Sequence, residues 1–221
     1  MIRDLNAGDF VYMLEATQWT LVLSLIAVVG GGSVGTLFML LRMSRVRVVR
    51  WLSVGYVQFF QSTPLLMQLF LVFFGGSLFR IQLSPWTAAV VAFTLHASAY
   101  LADIWHGCVA AIPRSQWEAA RSLALPERVT FRFIILPQAL RIAVPPTIGF
   151  LVQMIKSTSL ASIIGFTELV RAGQFINNST LRPLFVYGFV ACVYFAICWP
   201  LSLWSQALEA RLARSDRRTQ R

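Results

Sequence analysis

The sequence predicts an all-α integral membrane protein with five transmembrane helices. Its composition points there first: of 221 residues, 57% are hydrophobic and 13% charged, against about 25% charged in an average soluble domain. The placement of the charges says more. No Lys, Arg, Asp or Glu occurs in 16–41, 51–79, 81–102 or 183–208, and each run can supply the ~20 apolar residues that cross a bilayer. Together with a mean hydropathy of +0.66, this excludes a disordered chain, a disulfide scaffold and an ordinary soluble domain.

The net charge of +10 is distributed for orientation. Arg42, Arg45, Arg47 and Arg50 follow the first apolar run. Arg114, Arg121, Arg128, Arg132 and Arg141 follow the third, and Arg211, Arg214, Arg217, Arg218 and Arg221 form the tail. Positive loops on alternate sides mark the cytoplasmic face. With the N-terminus periplasmic and the C-terminus cytoplasmic, 14 of the 19 cationic residues lie inside, leaving Arg3, Arg80, Lys156, Arg171 and Arg182 outside. Charge spent on orientation needs no nucleic-acid partner. Cys108, Cys192 and Cys198 are odd in number and read as small hydrophobes. Asp4, Asp9 and Glu15 make the N-terminal region negative, unlike a secretory signal.

The expected spans, within one transmembrane domain over 1–221, are about 19–41, 51–75, 86–105, 133–155 and 183–208. Ser84-Pro85 starts the third, and Arg141 near the inner end of the fourth can snorkel to the headgroups. Between spans three and four, the cytoplasmic segment 106–132 is too polar to cross. Ser115-Gln116-Trp117-Glu118 fits a capping box, and Pro126 ends that helix and starts another. Outside, Lys156-Ser157-Thr158-Ser159 precedes an apolar Leu160–Phe166 too short to span, which suggests a re-entrant or interfacial piece.

Several patterns suggest chemistry and do not carry it. Gly31-Gly32-Ser33-Val34-Gly35 spells a nucleophile elbow, but inside a membrane span rather than at a strand–helix turn. Gly31 and Gly35 instead offer a small-residue packing face. An intramembrane hydrolase would need Ser33 to meet His96, the histidine at membrane depth. Asp103, His106 and Cys108 crowd six residues, but positions two apart on a helix diverge and no second ligand pair exists, so no metal is expected. Lys156 follows Ile155, not the glycine of a phosphate-binding loop, so no cofactor is expected and any ATP belongs to another subunit.

A resemblance then organises the remaining residues. Glu118-Ala119-Ala120, Ala124 after three residues, and Ile134-Ile135-Leu136-Pro137 after nine more resemble the EAA loop, E-A-A-x3-G-x9-I-x-L-P, of ABC importer permease subunits. Ala99–Ile104, Ile112-Pro113-Arg114 and Pro137–Arg141 flank it. Gly55-Tyr56, Thr63–Leu66 with Gln68, and Lys156 with Thr158-Ser159-Leu160 are similar to the subfamily importing polar amino acids of the histidine, glutamine and glutamate type.

The resemblance implies a membrane-spanning importer subunit in a bacterial inner membrane. It implies a cytoplasmic ABC ATPase gripping the EAA loop, a periplasmic binding protein delivering the amino acid, and a second permease subunit completing the pathway. The coupling residues would be Glu118, Ala119, Ala120, Ala124, Ile134, Leu136 and Pro137, with Trp117 and Ala120 as an apolar docking edge. Ala124 replaces the motif glycine, a substitution that costs about 1 kcal/mol if the turn is left-handed. Leu136-Pro137 either kinks the entry of span four or is an ordinary first-turn proline. Gln61, Thr63, Gln68, Gln153, Lys156, Ser157 and Thr158 are the polar candidates for the substrate pathway. Lys156 keeps two readings, contact with a substrate carboxylate or snorkelling. A membrane scaffold without transport is the remaining alternative.

Overall fold

A computed structural model describes residues 3–78 and 80–219, with side chains through Leu212. The tail arginines Arg214, Arg217, Arg218 and Arg221 lie outside those side chains. Among the described residues there are helices and no strands. The elements are α1 (Ala7–Arg42), α2 (Arg47–Ser62), α3 (Leu65–Leu78), α4 (Pro85–Ala110), α5 (Arg114–Ser122) and α6 (Glu127–Val129). A π-helical turn (Thr130–Ile135) leads into α7 (Leu136–Ser157), and a 3-10 turn (Thr158–Ile164) precedes α8 (Leu169–Thr180) and α9 (Pro183–Thr219).

Among the described residues, four stretches are long and apolar enough to cross a membrane: Ala7–Arg42, Pro85–Ala110, Glu127–Ile164 and Pro183–Leu212. The most apolar part of α4 is 56% buried and that of α9 17%, so α4 is the central helix and α9 a peripheral one. Large apolar side chains on the outer faces, such as Leu25, Val29, Leu184 and Phe195, are exposed, as helices surrounded by lipid or a second subunit require.

The expected second span is not one straight helix. α2 and α3 meet at 101°. Proline disfavours the helical conformation of the residue before it, and Thr63 is extended at φ −106, ψ 137. Pro64 has no N–H to give to the Phe60 carbonyl four residues back. The Gln68 amide Nε2 takes its place, donating to Phe60 O at 2.8 Å and Thr63 O at 3.0 Å.

The fourth expected span also changes. The helical path runs from Glu127 through Ile164, with α7 itself ending at Ser157, close to the expected outer end. The stretch Thr158–Ile164, expected to be re-entrant or interfacial, follows α7 directly as a 3-10 turn closed by Gly165 at φ 89. Pro137 sits in the first turn of α7, directly after the π-helical turn. There the ladder has already lengthened, with Leu136 N donating to Phe131 O, and the Gln138 side chain satisfies Ile134 O at 2.7 Å.

α1 and α4 pack closest. A Cβ at Gly31 would come 2.5 Å from Ala97 Cβ, and one at Gly35 would come 2.8 Å from Ser98 O. The glycine pair is therefore a helix-packing face. Gly31→Leu is expected to separate α1 from α4 and destabilise the fold by about 3 kcal/mol or more, measured as a lowered melting temperature in detergent. An unchanged melting temperature would show that α4 does not sit on that face.

Candidate functional site

The EAA-spaced residues occupy α5 and the turn after it. The capping box does not form. Pro113 is the N-cap, no side chain caps the helix, and α5 begins at Arg114. The proline ring fixes φ, Pro113 enters the helix at φ −55, ψ 138, and Ser115 and Glu118 are exposed.

The apolar edge is not free for docking either. Ala120 is buried and Trp117 packs on Met39, Val109, Ile112, Ile135 and Ala139, the patch that includes part-buried Ile134. That edge anchors α5 to its own bundle. Glu118, Ala119, Ser122 and Leu123 face outward, Leu123 at 73% exposure. Leu136 lines a small apolar cavity of about 180 Å³ beside Trp105 and Ala139, and Pro137 is exposed. An anchored inner edge with an open outer edge can transmit a push.

Ala124 does adopt the left-handed conformation, at φ 53. Ala124 N donates to Arg121 O at 2.9 Å and Leu125 N to Ala120 O at 3.1 Å, the six-to-one closure that terminates helices. An alanine there carries strain of about 1 kcal/mol. Ala124→Gly is expected to relieve it and raise stability by about 1 kcal/mol, read as a higher melting temperature. A lowered one would mean that the turn is not strained.

The pathway candidates divide. Gln61, Thr63, Gln153 and Ser157 line one cavity of about 400 Å³ together with Ser62, His96 and Tyr100. Gln68 is buried behind its wall, its amide spent on the α2–α3 break and on His96 Nδ1 at 3.2 Å. Thr158 is fully buried, its hydroxyl bonded to Ile155 O. Lys156 is exposed and does not line the cavity. Gln61 also reaches Asp103 at 3.4 Å, and Asp103 pairs with Arg42 at 2.6 Å. That carboxylate ties α1, α2 and α4 together.

The hydrolase alternative finds no support. Ser33 is exposed and donates to Val29 O, while His96 bonds Gln68. One residue that the sequence reading passed over is Glu168, fully buried between helices. Its Oε1 accepts from Arg171 N at 2.9 Å, capping α8, and its Oε2 accepts from Tyr194 at 3.1 Å and Thr20 at 3.4 Å.

A helical membrane bundle with an exposed, bundle-anchored helix and an open polar cavity between helices fits a transport permease. Residues 27–214 match the family described as binding-protein-dependent transport system inner membrane component, and the chain belongs to it. It is 35% identical over 205 residues to the probable amino-acid ABC transporter permease protein YckA of Bacillus subtilis strain 168, covering 93% of this chain and 91% of that one. To the L-cystine transport system permease protein TcyB of the same organism it is 37% identical over 197 residues, covering 89% and 84%. A crystal structure of an amino acid ABC transporter with histidines superposes at a TM-score of 0.86, with 30% identity and coverage of 90% and 94%. The protein is a multi-pass membrane permease subunit.

Proposed function

We propose that this subunit forms half of the translocation pathway of an ATP-driven importer for a polar amino acid, in a bacterial inner membrane. The bent α2–α3 pair is the fifth span, with the N-terminus periplasmic and α5 cytoplasmic. A separate ABC ATPase grips α5 and hydrolyses the ATP, so this chain is not itself an enzyme and holds no cofactor. A periplasmic binding protein delivers the solute, and a second permease subunit closes the path.

The observation that carries the reading is the outer face of α5. Glu118, Ala119, Ser122 and Leu123 are open to a partner, while Ala120 is buried and Trp117 packs on a cluster drawn from α1, α4 and the start of α7. Movement imposed on the outer face therefore reaches the spans that wall the cavity. Ile134, Leu136 and Pro137 carry it into α7, and Ala124 fixes the turn between. In the cavity, Gln61, Thr63, Gln153 and Ser157 offer uncharged hydrogen-bonding groups suited to an amino acid. Relatives named for amino-acid and cystine transport support that solute class.

Sidedness tests the reading. Gln116→Cys, in a background with Cys108, Cys192 and Cys198 replaced by serine, is expected to resist a membrane-impermeant maleimide in intact spheroplasts and react after lysis. Reaction in intact spheroplasts would put α5 out of the ATPase's reach and defeat the proposal. Orientation follows from the arginine distribution, since positively charged loops stay inside.

A further inference from the structure

The same cavity contains an acceptor whose state can be worked out. The two N–H groups of Gln68 Nε2 face three acceptors: Phe60 O at 2.8 Å, Thr63 O at 3.0 Å and Thr63 Oγ1 at 2.8 Å. The first two are carbonyls. The Thr63 hydroxyl gives its own proton to Phe59 O at 2.9 Å, so its oxygen has only lone pairs left for Gln68. Three acceptors thus fix which end of the amide is NH2, and the other end, Oε1, faces His96 Nδ1 at 3.2 Å. A carbonyl oxygen can only accept, so Nδ1 carries the proton.

His96 is 6% exposed, and among the described residues no carboxylate pairs with it. A charge buried without a partner is costly, so the ring is neutral and its Nε2 is a bare lone pair. Among the described buried side-chain atoms that lack a partner, only Arg171 Nε and Asn177 Oδ1 occur. Among the described residues none donates to His96 Nε2, and the atom is not fully enclosed, while the His96 ring lines the cavity. The ring is held there by Tyr100, whose centroid lies 4.6 Å away, and Tyr100 in turn stacks on Phe150 at 5.5 Å.

We infer that His96 Nε2 is a specificity-determining acceptor for an N–H donor of the transported amino acid, with Gln68 as the residue that positions it. The inference rests on the cavity being part of the pathway. A cavity walled by Gln61, Gln153, Ser157 and Tyr100 has no carboxylate in its lining, so an α-ammonium or side-chain amide entering it must be met by neutral acceptors. A fixed imidazole lone pair is one that selects for a donor and against an oxygen anion. Because the same Gln68 amide closes the α2–α3 break, a change in that bend would also release the tautomer.

The test uses the complete transporter, this subunit with its ATPase, its permease partner and its binding protein, in nanodiscs and proteoliposomes. Nitrogen-15 histidine spectra, with the His96 signal assigned by its loss in His96→Phe, are expected to show an unprotonated Nε2 that shifts when a carried L-amino acid is added. His96→Phe keeps the ring and should lower ATP-driven uptake of that amino acid roughly tenfold, the effect of one lost hydrogen bond to a charged donor. His96→Gln, which restores an acceptor oxygen, should recover most of it. Gln68→Leu should let the two tautomers mix, giving a second nitrogen signal that a merely structural role would not produce.

An equal loss for L-glutamine and L-glutamate assigns the donor as the α-ammonium, and a loss confined to L-glutamine assigns it as the side-chain amide. Either result supports the inference. A protonated Nε2, or wild-type uptake by His96→Phe, overturns the inference and leaves the importer reading standing. Absence of uptake of every L-amino acid by the wild-type complex overturns both.

Discussion

Glu118→Lys abolishes ATP-driven uptake while membrane insertion and abundance remain at wild-type levels: this is the expected result in cells carrying the whole transporter. Glu118 is exposed, and among the described residues its side chain makes no hydrogen bond or ion pair. Since Pro113 rather than Ser115 caps α5, Glu118 plays no part in starting the helix. A lysine there lies four residues from Arg114 and three from Arg121, and like charges at that spacing cost a few tenths of a kcal/mol. Surface substitutions of this kind stay within about 0.5 kcal/mol. The fold therefore survives, and under the coupling role proposed above the lost function reports contact with an ATPase. A buried carboxylate–cation contact across an interface costs 2–5 kcal/mol when one partner is removed, and reversing the charge costs more. Uptake should fall below detection, and the ATPase should no longer co-purify. Wild-type uptake in Glu118→Lys would mean that the outer face of α5 is not the handle.

Much of the membrane architecture was legible because the bilayer imposes so simple a rule. Twenty uncharged residues must be present, and their absence elsewhere is as informative as their presence. The α2–α3 break escaped that rule because hydropathy is blind to direction. The signal was nonetheless there: Thr63-Pro64 sits in mid-span, and a residue before proline leaves the helical region. The capping box at Ser115 failed for a related reason, since Pro113 lay two residues earlier and had already set the chain's entry to α5. Trp117 and Ala120 do share one inward edge of α5. Periodicity identifies such an edge but not what covers it, and the cover turned out to be Met39, Val109 and Ile135. Ala124 shows the opposite case. The motif's glycine position implied a left-handed residue, and the chain takes that conformation at 124 even with an alanine, because the six-to-one hydrogen bond from Leu125 to Ala120 demands it. The polar cavity needed the tertiary fold, since it draws residues from α2, α4 and α7 that are up to 96 positions apart, Gln61 to Ser157.

Glu168 is the residue where sequence reasoning had least purchase, and its substitution should still cost substantial stability. It follows a glycine turn in a segment of mixed polarity, so nothing local marks it as buried. Yet its carboxylate is fully enclosed and ties three helices: the first turn of α8 through Arg171 N, α9 through Tyr194, and α1 through Thr20. Thr20 completes the link by accepting from Leu169 N at 3.3 Å. Glu168→Ala removes the cap of α8, worth about 1 kcal/mol, and leaves the Tyr194 hydroxyl without its acceptor, which costs about 1–3 kcal/mol more. A loss on the order of 3 kcal/mol is expected, seen as a lower melting temperature and poorer recovery of the purified subunit. Glu168→Gln should behave differently. No cation among the described residues pairs with the carboxylate, so the charge itself contributes no ion pair. A glutamine oxygen can still cap α8, and its amide can donate to hydroxyls that rotate to accept. Near-wild-type stability in Glu168→Gln beside a marked loss in Glu168→Ala would identify a hydrogen-bonded clasp. Equal losses in both would instead require the negative charge, and equal tolerance would mean that α8 is held by the packing of Met13, Leu169, Ile176 and Val186 alone.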